Sequence, residues 1–144
     1  MNEANRELVA YCGLYCGDCF SYQGKIADLS RDLRKELRQA RFDRVAEVMP
    51  FKEFRNYREC YEVLGALLRL RCKNACRSGG GNPWCKIRLC CRKKVFDGCW
   101  QCDEIESCNK LKFLEATHKD AHLKNLSKIR KVGATEWLAG KRYW

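Results

Sequence analysis

The chain has 144 residues, with 29 Lys and Arg against 18 Asp and Glu for a formal net charge of +11, 46% hydrophobic residues and 11% aromatics. That is about one domain's worth of sequence with enough apolar content for a core, which excludes a disordered tail and argues against a two-domain enzyme. No window approaches the roughly 18–20 consecutive apolar residues of a membrane helix, and the first eight residues lack the basic and apolar regions of a secretory leader.

Along the chain, Cys12, Cys16 and Cys19 form a tight trio near the start. From Ile26, the apolar residues Leu29, Leu33, Leu37, Ala40, Val45 and Val48 recur at helical intervals between arginines, predicting one amphipathic helix or two with a break near Phe42. Pro50 suits the first turn of a further helix, whose apolar positions Phe54, Tyr57, Tyr61, Leu64, Leu67 and Leu68 keep the period to Arg71. The expectation is an antiparallel helical hairpin over about 24–71. Ser78-Gly-Gly-Gly-Asn-Pro83 is turn chemistry, and a short helix from Lys86 to Val95 follows it. Helices fill about 109–143, with Leu111, Leu114, His118, Ala121, His122, Leu126 and Ile129 on one face and Gly133 as a stop signal. No strict alternation of apolar and polar residues exceeds four positions, so little sheet is expected. The predicted fold is a mainly α, small helical single domain spanning 1–144, with a metal-organised cysteine-rich loop block in its parts 12–19 and 72–108.

The 12 cysteines are the outlying feature of the composition. In the reducing cytoplasm expected for a chain with no leader, clustered thiols read as metal ligands or redox centres before disulfides. Cys99-Trp-Gln-Cys102, preceded by Gly98, has the spacing with which two thiolates turn onto one tetrahedral ion. A thioredoxin-like redox pair would need a βαβ context that is absent here. Cys12-Gly-Leu-Tyr-Cys16-Gly-Asp-Cys19 places three thiols in one short loop, with Gly13 and Gly17 easing their convergence. Its C-x3-C-x2-C spacing also matches the cluster loop of radical S-adenosylmethionine enzymes, though this chain is too short and too helical for their barrel. Cys72, Cys76, Cys85, Cys90 and Cys108 complete a candidate set of ten metal ligands: Cys12, Cys16, Cys19, Cys72, Cys76, Cys85, Cys90, Cys99, Cys102 and Cys108. Cys91 is set aside because it adjoins Cys90, and Cys60 is read as a small buried hydrophobe. Two mononuclear sites use eight thiols, so either two of the ten are spectators or the ions share ligands.

Cys99-x2-Cys102-x15-His118-x3-His122 satisfies a two-Cys, two-His finger spacing, but a finger needs a hairpin and Cys108 intrudes. The more ordinary reading is a helix with two histidines one turn apart. Lys86, Arg88, Arg92, Lys93 and Lys94 beside Trp84 and Trp100, with Lys124, Lys128, Arg130, Lys131, Lys141 and Arg142, form basic clusters that would suit single-stranded nucleic acid. Thiolates bound to zinc offset part of the positive excess, which weakens that reading.

Six ordered motifs carry a family resemblance: Cys12-Gly-Leu-Tyr-Cys-Gly-Asp-Cys19, Pro50-Phe51, Cys76-Arg-Ser-Gly-Gly-Gly-Asn-Pro83, Cys85-Lys-Ile-Arg-Leu-Cys90, Gly98-Cys-Trp-Gln-Cys102-Asp-Glu, and the closing Cys108. Together they resemble the cysteine-rich prokaryotic family called domain of unknown function 3795. The resemblance implies a small, cytoplasmic, metal-binding protein with no established reaction. Cys72-x3-Cys76 is wider than the C-x2-C of that position in the family.

The function expected from the sequence is a zinc-binding structural or interaction protein holding two ions, for which a protein partner is conceivable and a membrane is not. The alternatives are an iron–sulfur protein for electron transfer or sulfur handling, and a basic nucleic-acid-binding module. Closed four-thiolate sites leave no coordination position open to activate water, which argues against an enzyme.

Overall fold

The computed structural model describes residues 3–144, with side chains from Asn5 onward. Among the described residues the structure is helical, and its only sheet-like pairing is an isolated antiparallel bridge between Val9 and Tyr15. No helix is long and apolar enough to cross a membrane. The chain divides into two compact units, one formed by residues up to Cys19 together with Lys73–Trp144, the other by Phe20–Cys72.

The Phe20–Cys72 unit is a helical hairpin. After the one-turn α2 (Phe20–Gln23), α3 (Lys25–Gln39) runs to Arg41, whose left-handed backbone (φ 49) breaks the helix before α4 (Phe42–Val48). The break thus falls where the periodicity falters, beside Phe42. Pro50 precedes a 3-10 turn (Lys52–Asn56) rather than opening a helix, and α5 (Tyr57–Arg69) starts later than its apolar pattern suggests. In the α3–α5 hairpin Ala27 and Ser30 are the fully buried side chains, and Leu37, Leu64, Leu67 and Leu68 are half-buried. Gly65 leaves room for the Arg34 guanidinium, which lies 4.3 Å over the Tyr61 ring. At the open end, Gly24 (φ 74) admits the Arg71 side chain, which pairs with Asp28, and the Cys72 N–H donates to the Ser21 carbonyl at 2.9 Å.

The other unit holds the hydrophobic core. It contains α1 (Glu3–Glu7), α6 (Lys86–Lys93), α7 (Glu115–His118), α8 (Ala121–Ala139) and long loops. Gly133 (φ 81, ψ 158) interrupts α8, so the stop signal read there acts as a kink. Val9, Leu126, Ile129 and Trp137 are at most 2% exposed and pack with Tyr11, Leu14, Ile87, Trp100 and Leu111. Asn125 fastens the C-terminus to this core, donating to the Tyr143 carbonyl (2.8 Å) and accepting from the Tyr143 N–H (3.0 Å) and Trp137 Nε1 (3.3 Å). The tight turn at Gly13 (φ 82) presses on Leu126, so this non-helical loop is seated on α8.

Loops of this kind have few backbone partners of their own, and buried carbonyls must find donors. Arginines supply them. Arg77 donates to the carbonyls of Val9 (2.7 Å) and Asp97 (2.6 Å) and pairs with the Asp97 carboxylate at 3.0 Å. Arg130 donates to the carbonyls of Trp100 (2.9 Å) and Cys102. Arg88, only 3% exposed, donates to four carbonyls around the glycine turn, those of Cys76, Gly80, Asn82 and Pro83.

Candidate metal centre

Ten of the twelve cysteines lie in the core-bearing unit, and six of them, Cys12, Cys76, Cys85, Cys99, Cys102 and Cys108, pack against the hydrophobic core. They fall into two gatherings. Cys12 is half-buried, with Cys76, Cys85 and Cys16 as its titratable neighbours. The Cys76 N–H points at Cys16 Sγ, 3.4 Å away, joining the N-terminal loop to the glycine-turn loop. The second gathering surrounds a small cavity of about 30 Å³ lined by Cys90, Cys91, Cys99, Cys102 and Cys108, with Lys94 and Phe96 at its side. Here Cys91 Sγ lies 3.5 Å from Cys99 Sγ. That is far beyond the roughly 2.05 Å of a disulfide bond. A hydrogen bond from the Cys99 N–H to the Tyr11 carbonyl (2.8 Å) ties the two gatherings together.

Local structure explains why the loops converge. The 3-10 turns Cys16–Asp18 and Cys99–Gln101 each close with an N–H···O bond back to the first cysteine of the turn, from Cys19 to Cys16 and from Cys102 to Cys99. Cys99 and Cys102, at the two ends of the second turn, both line the small cavity. On α6, Ile87 and Cys91 stand one turn apart on the buried face, so Cys91 follows Ile87 inward.

Burial governs the electrostatics. It pushes the Cys12 thiol up to about 12, and the backbone hydrogen bond at Leu14 only partly opposes it. Burial also raises Cys76, against the lowering influence of Tyr11 and Arg88. Within the Cys91–Cys99 pair, the shared hydrogen bond raises Cys99 and lowers Cys91. Several thiolates cannot coexist in this space without a cation to compensate them.

Among the described residues no group of three or more His, Cys, Asp or Glu side chains is arranged to hold a metal ion as it stands. The thiols are gathered without being closed on a centre. Of the ten candidate ligands, Cys72 belongs to the hairpin unit, and Cys19 is neither among the groups acting on Cys12 nor in the lining of the small cavity. Cys90 lines the small cavity from the rim, half-buried, whereas Cys91, which the sequence reading set aside, is 3% exposed and reaches Cys99. Cys60 is exposed, correcting its reading as a buried hydrophobe. The adjacency of Cys90 and Cys91 concealed the fact that a helix turns neighbouring side chains about 100° apart.

Part of the basic clusters is engaged in hydrogen bonds and ion pairs, while Lys86, Lys93 and Lys131 stand exposed. Arg88, Arg92, Arg130 and Lys128 donate to backbone carbonyls, and Arg142 pairs with Asp18 at 2.9 Å. Trp100, expected on a cationic surface, is 9% exposed, while Trp84 remains 79% exposed.

His122 is 0% exposed and neither ring nitrogen has a hydrogen-bond partner among the described residues. Its charged neighbours are Glu115, His118 and Asp120, with no cysteine among them, so the finger pairing with Cys99 and Cys102 has no support in the geometry. Burial pulls His122 below its ordinary value of 6.5, Glu115 and Asp120 opposing and His118 reinforcing. A histidine lowered in the folded state contributes full stability above the unfolded value and loses it as pH falls toward the folded one. Urea midpoints of the native chain should therefore fall between pH 7.5 and pH 5 more steeply than those of His122→Met; equal slopes would contradict this assignment.

A family model described as protein of unknown function (DUF3795) matches residues 8–113, which takes in every cysteine of the sequence. No curated protein and no solved structure matches the chain.

Proposed function

The chain belongs to the DUF3795 family of unknown function, and we propose that it is a zinc-binding structural or interaction protein that holds two ions through eight thiolates. Cys91, Cys99, Cys102 and Cys108 form one site. Cys12, Cys16, Cys76 and Cys85 form the other. The observation that carries this reading is the cavity of about 30 Å³ ringed by thiols. A water-sized sphere needs only about 10–15 Å³ of such space, so a single ion has room among these thiols.

The Cys91–Cys99 separation of 3.5 Å supports the same conclusion. Four sulfurs held tetrahedrally at about 2.3 Å from one zinc lie about 3.8 Å apart. In a four-iron cluster each sulfur binds a different iron, which sets them farther from one another. Side-chain rotation within each gathering closes the thiols on the ion, and binding releases the thiol protons. Both sites, closed by four protein ligands, position loops rather than activate water.

Elemental analysis of protein prepared without oxygen tests this. Two zinc per chain and a colourless sample are expected, with Cys91→Ser and Cys76→Ser each retaining one equivalent and Cys60→Ser retaining both. A brown, iron-bearing sample would replace zinc with a cluster. Metal-free protein with its thiols paired as disulfides would end the metal reading altogether.

A further inference from the structure

The hairpin unit carries a second feature, unconnected with the thiols. Where α4, the 3-10 turn and the start of α5 meet, they enclose an open pocket of about 870 Å³, within the size range of small-molecule sites. Its floor is aromatic. Phe51 meets Phe54 edge-on at 5.6 Å, Phe54 meets Phe42 at 5.4 Å, Phe42 leans on Tyr57 at 5.4 Å, and Tyr57 on Tyr61 at 6.1 Å. These rings do not make a closed core, since Phe51 is 58% exposed and Phe54, Tyr57 and Tyr61 are half-buried.

Charge is segregated by element. Asp43 and Glu47 come from α4, whereas Lys52 and Arg55 come from the 3-10 turn. Among the described residues none of these four takes part in an ion pair, while the remaining charged lining residues, Arg58 and Glu62, neutralise each other at 3.5 Å. Asp43 stands close enough to Tyr57 to help keep its phenol protonated, alongside the larger effect of burial, so the carboxylate borders the ring floor. Aromatic rings offer their faces and edges to another ring. Unpaired carboxylates from one element and unpaired cations from another suit a ligand with one charge of each sign.

We propose that this pocket binds a small aromatic zwitterion of the amino-acid class, its ring on the Phe51–Tyr61 floor, its ammonium toward Asp43 and Glu47, and its carboxylate toward Lys52 and Arg55. A neutral ring would gain only the floor. A ligand of single charge would meet one attractive pair of side chains and one repulsive pair.

Calorimetric titration of the full chain with L-tryptophan, its N-acetyl derivative, its amide and indole separates these contributions. L-tryptophan should bind most tightly, and the N-acetyl compound and the amide, each lacking one charge, should bind about 5-fold more weakly, as expected for the loss of a solvent-exposed ion pair. In the double variant Asp43→Asn, Glu47→Gln, binding of L-tryptophan should weaken while that of the N-acetyl compound is retained. In Lys52→Gln, Arg55→Gln, L-tryptophan should weaken while the amide is retained. All four residues are exposed, so the substitutions leave folding intact, and an unchanged far-ultraviolet circular dichroism spectrum verifies this. Indole binding as tightly as L-tryptophan, equal loss for all four probes in either variant, or no binding of L-tryptophan up to its solubility overturns the proposal.

Discussion

Arg88→Met is expected to destabilise the core-bearing unit by about 3–5 kcal/mol, beyond the range of ordinary substitutions. Arg88 is 3% exposed, and its guanidinium spans four carbonyls, with Nη1 on Cys76 (2.9 Å) and Gly80 (2.7 Å) and Nη2 on Asn82 (2.8 Å) and Pro83 (3.2 Å). A carbonyl left dry without a donor costs about 1–3 kcal/mol, which applies to those of half-buried Cys76 and Gly80, whereas water can replace the donor at exposed Asn82 and Pro83. The glycine turn cannot compensate by itself. Gly80 already lies so close to the Asn74 carbonyl that even a Cβ would collide with it. Methionine keeps the length and apolar stem of the side chain and removes only the donors. Lysine keeps the charge but offers one point instead of a planar fork, so Arg88→Lys should recover only part of the loss. Because the clamped loop bears Cys76 and Cys85, Arg88→Met should also release one of the two metal equivalents and leave the Cys91–Cys108 site loaded. Chemical denaturation with metal analysis checks both effects, and a loss below about 1 kcal/mol would mean that the clamp is dispensable.

Arg88 also shows which parts of the structure could be read from the sequence. Helices α3, α5, α6 and α8 announce themselves through apolar spacing, because a helix that buries one face must repeat at its own period. The break at Arg41 and the kink at Gly133 coincide with faltering period and with glycine. Direction is harder to read for a long polar side chain, since an arginine carries both a stem that suits the interior and a head that suits water. In a basic sequence Arg88 looks like one more surface cation, yet the triple glycine beside it brings turn carbonyls without partners, and that need was its signal.

Cys91 was legible in a similar way. One helical turn after Ile87, it belonged to the inward face whatever Cys90 did. Cys60 shows the reverse error, since proximity to an apolar pattern did not put it on the face of α5 where Tyr61, Leu64, Leu67 and Leu68 are half-buried. Which thiols meet across loops could not be read at all. Their convergence depends on contacts far apart in the chain, such as Cys16 with Cys76 and Cys99 with Tyr11.

Removing the ions is expected to unfold the core-bearing unit. Binding of structural zinc to a thiolate site contributes about 10–16 kcal/mol to folding in small metal-dependent domains, which matches or exceeds the roughly 5–15 kcal/mol net stability of a whole domain. The segments between the cysteines have little regular structure to fall back on, because between Arg69 and Lys86 and between Lys93 and Cys99 the chain forms no helix or strand. Their cohesion comes from arginine clamps and from thiols that, without a cation, are left as weak donors against a hydrophobic core. All four tryptophans, Trp84, Trp100, Trp137 and Trp144, lie in this unit, so their emission reports on it without interference from the hairpin. Trp137 and Trp100 are buried, and their exposure on unfolding should shift the emission to longer wavelength and abolish the near-ultraviolet dichroism. Dialysis against a strong chelator under reductant should produce both changes, and added zinc should reverse them with an endpoint of two equivalents per chain. If the metal-depleted protein keeps its tryptophan emission and its denaturation midpoint, the core and the arginine clamps hold the unit without an ion, and the cysteines then serve some purpose other than structure.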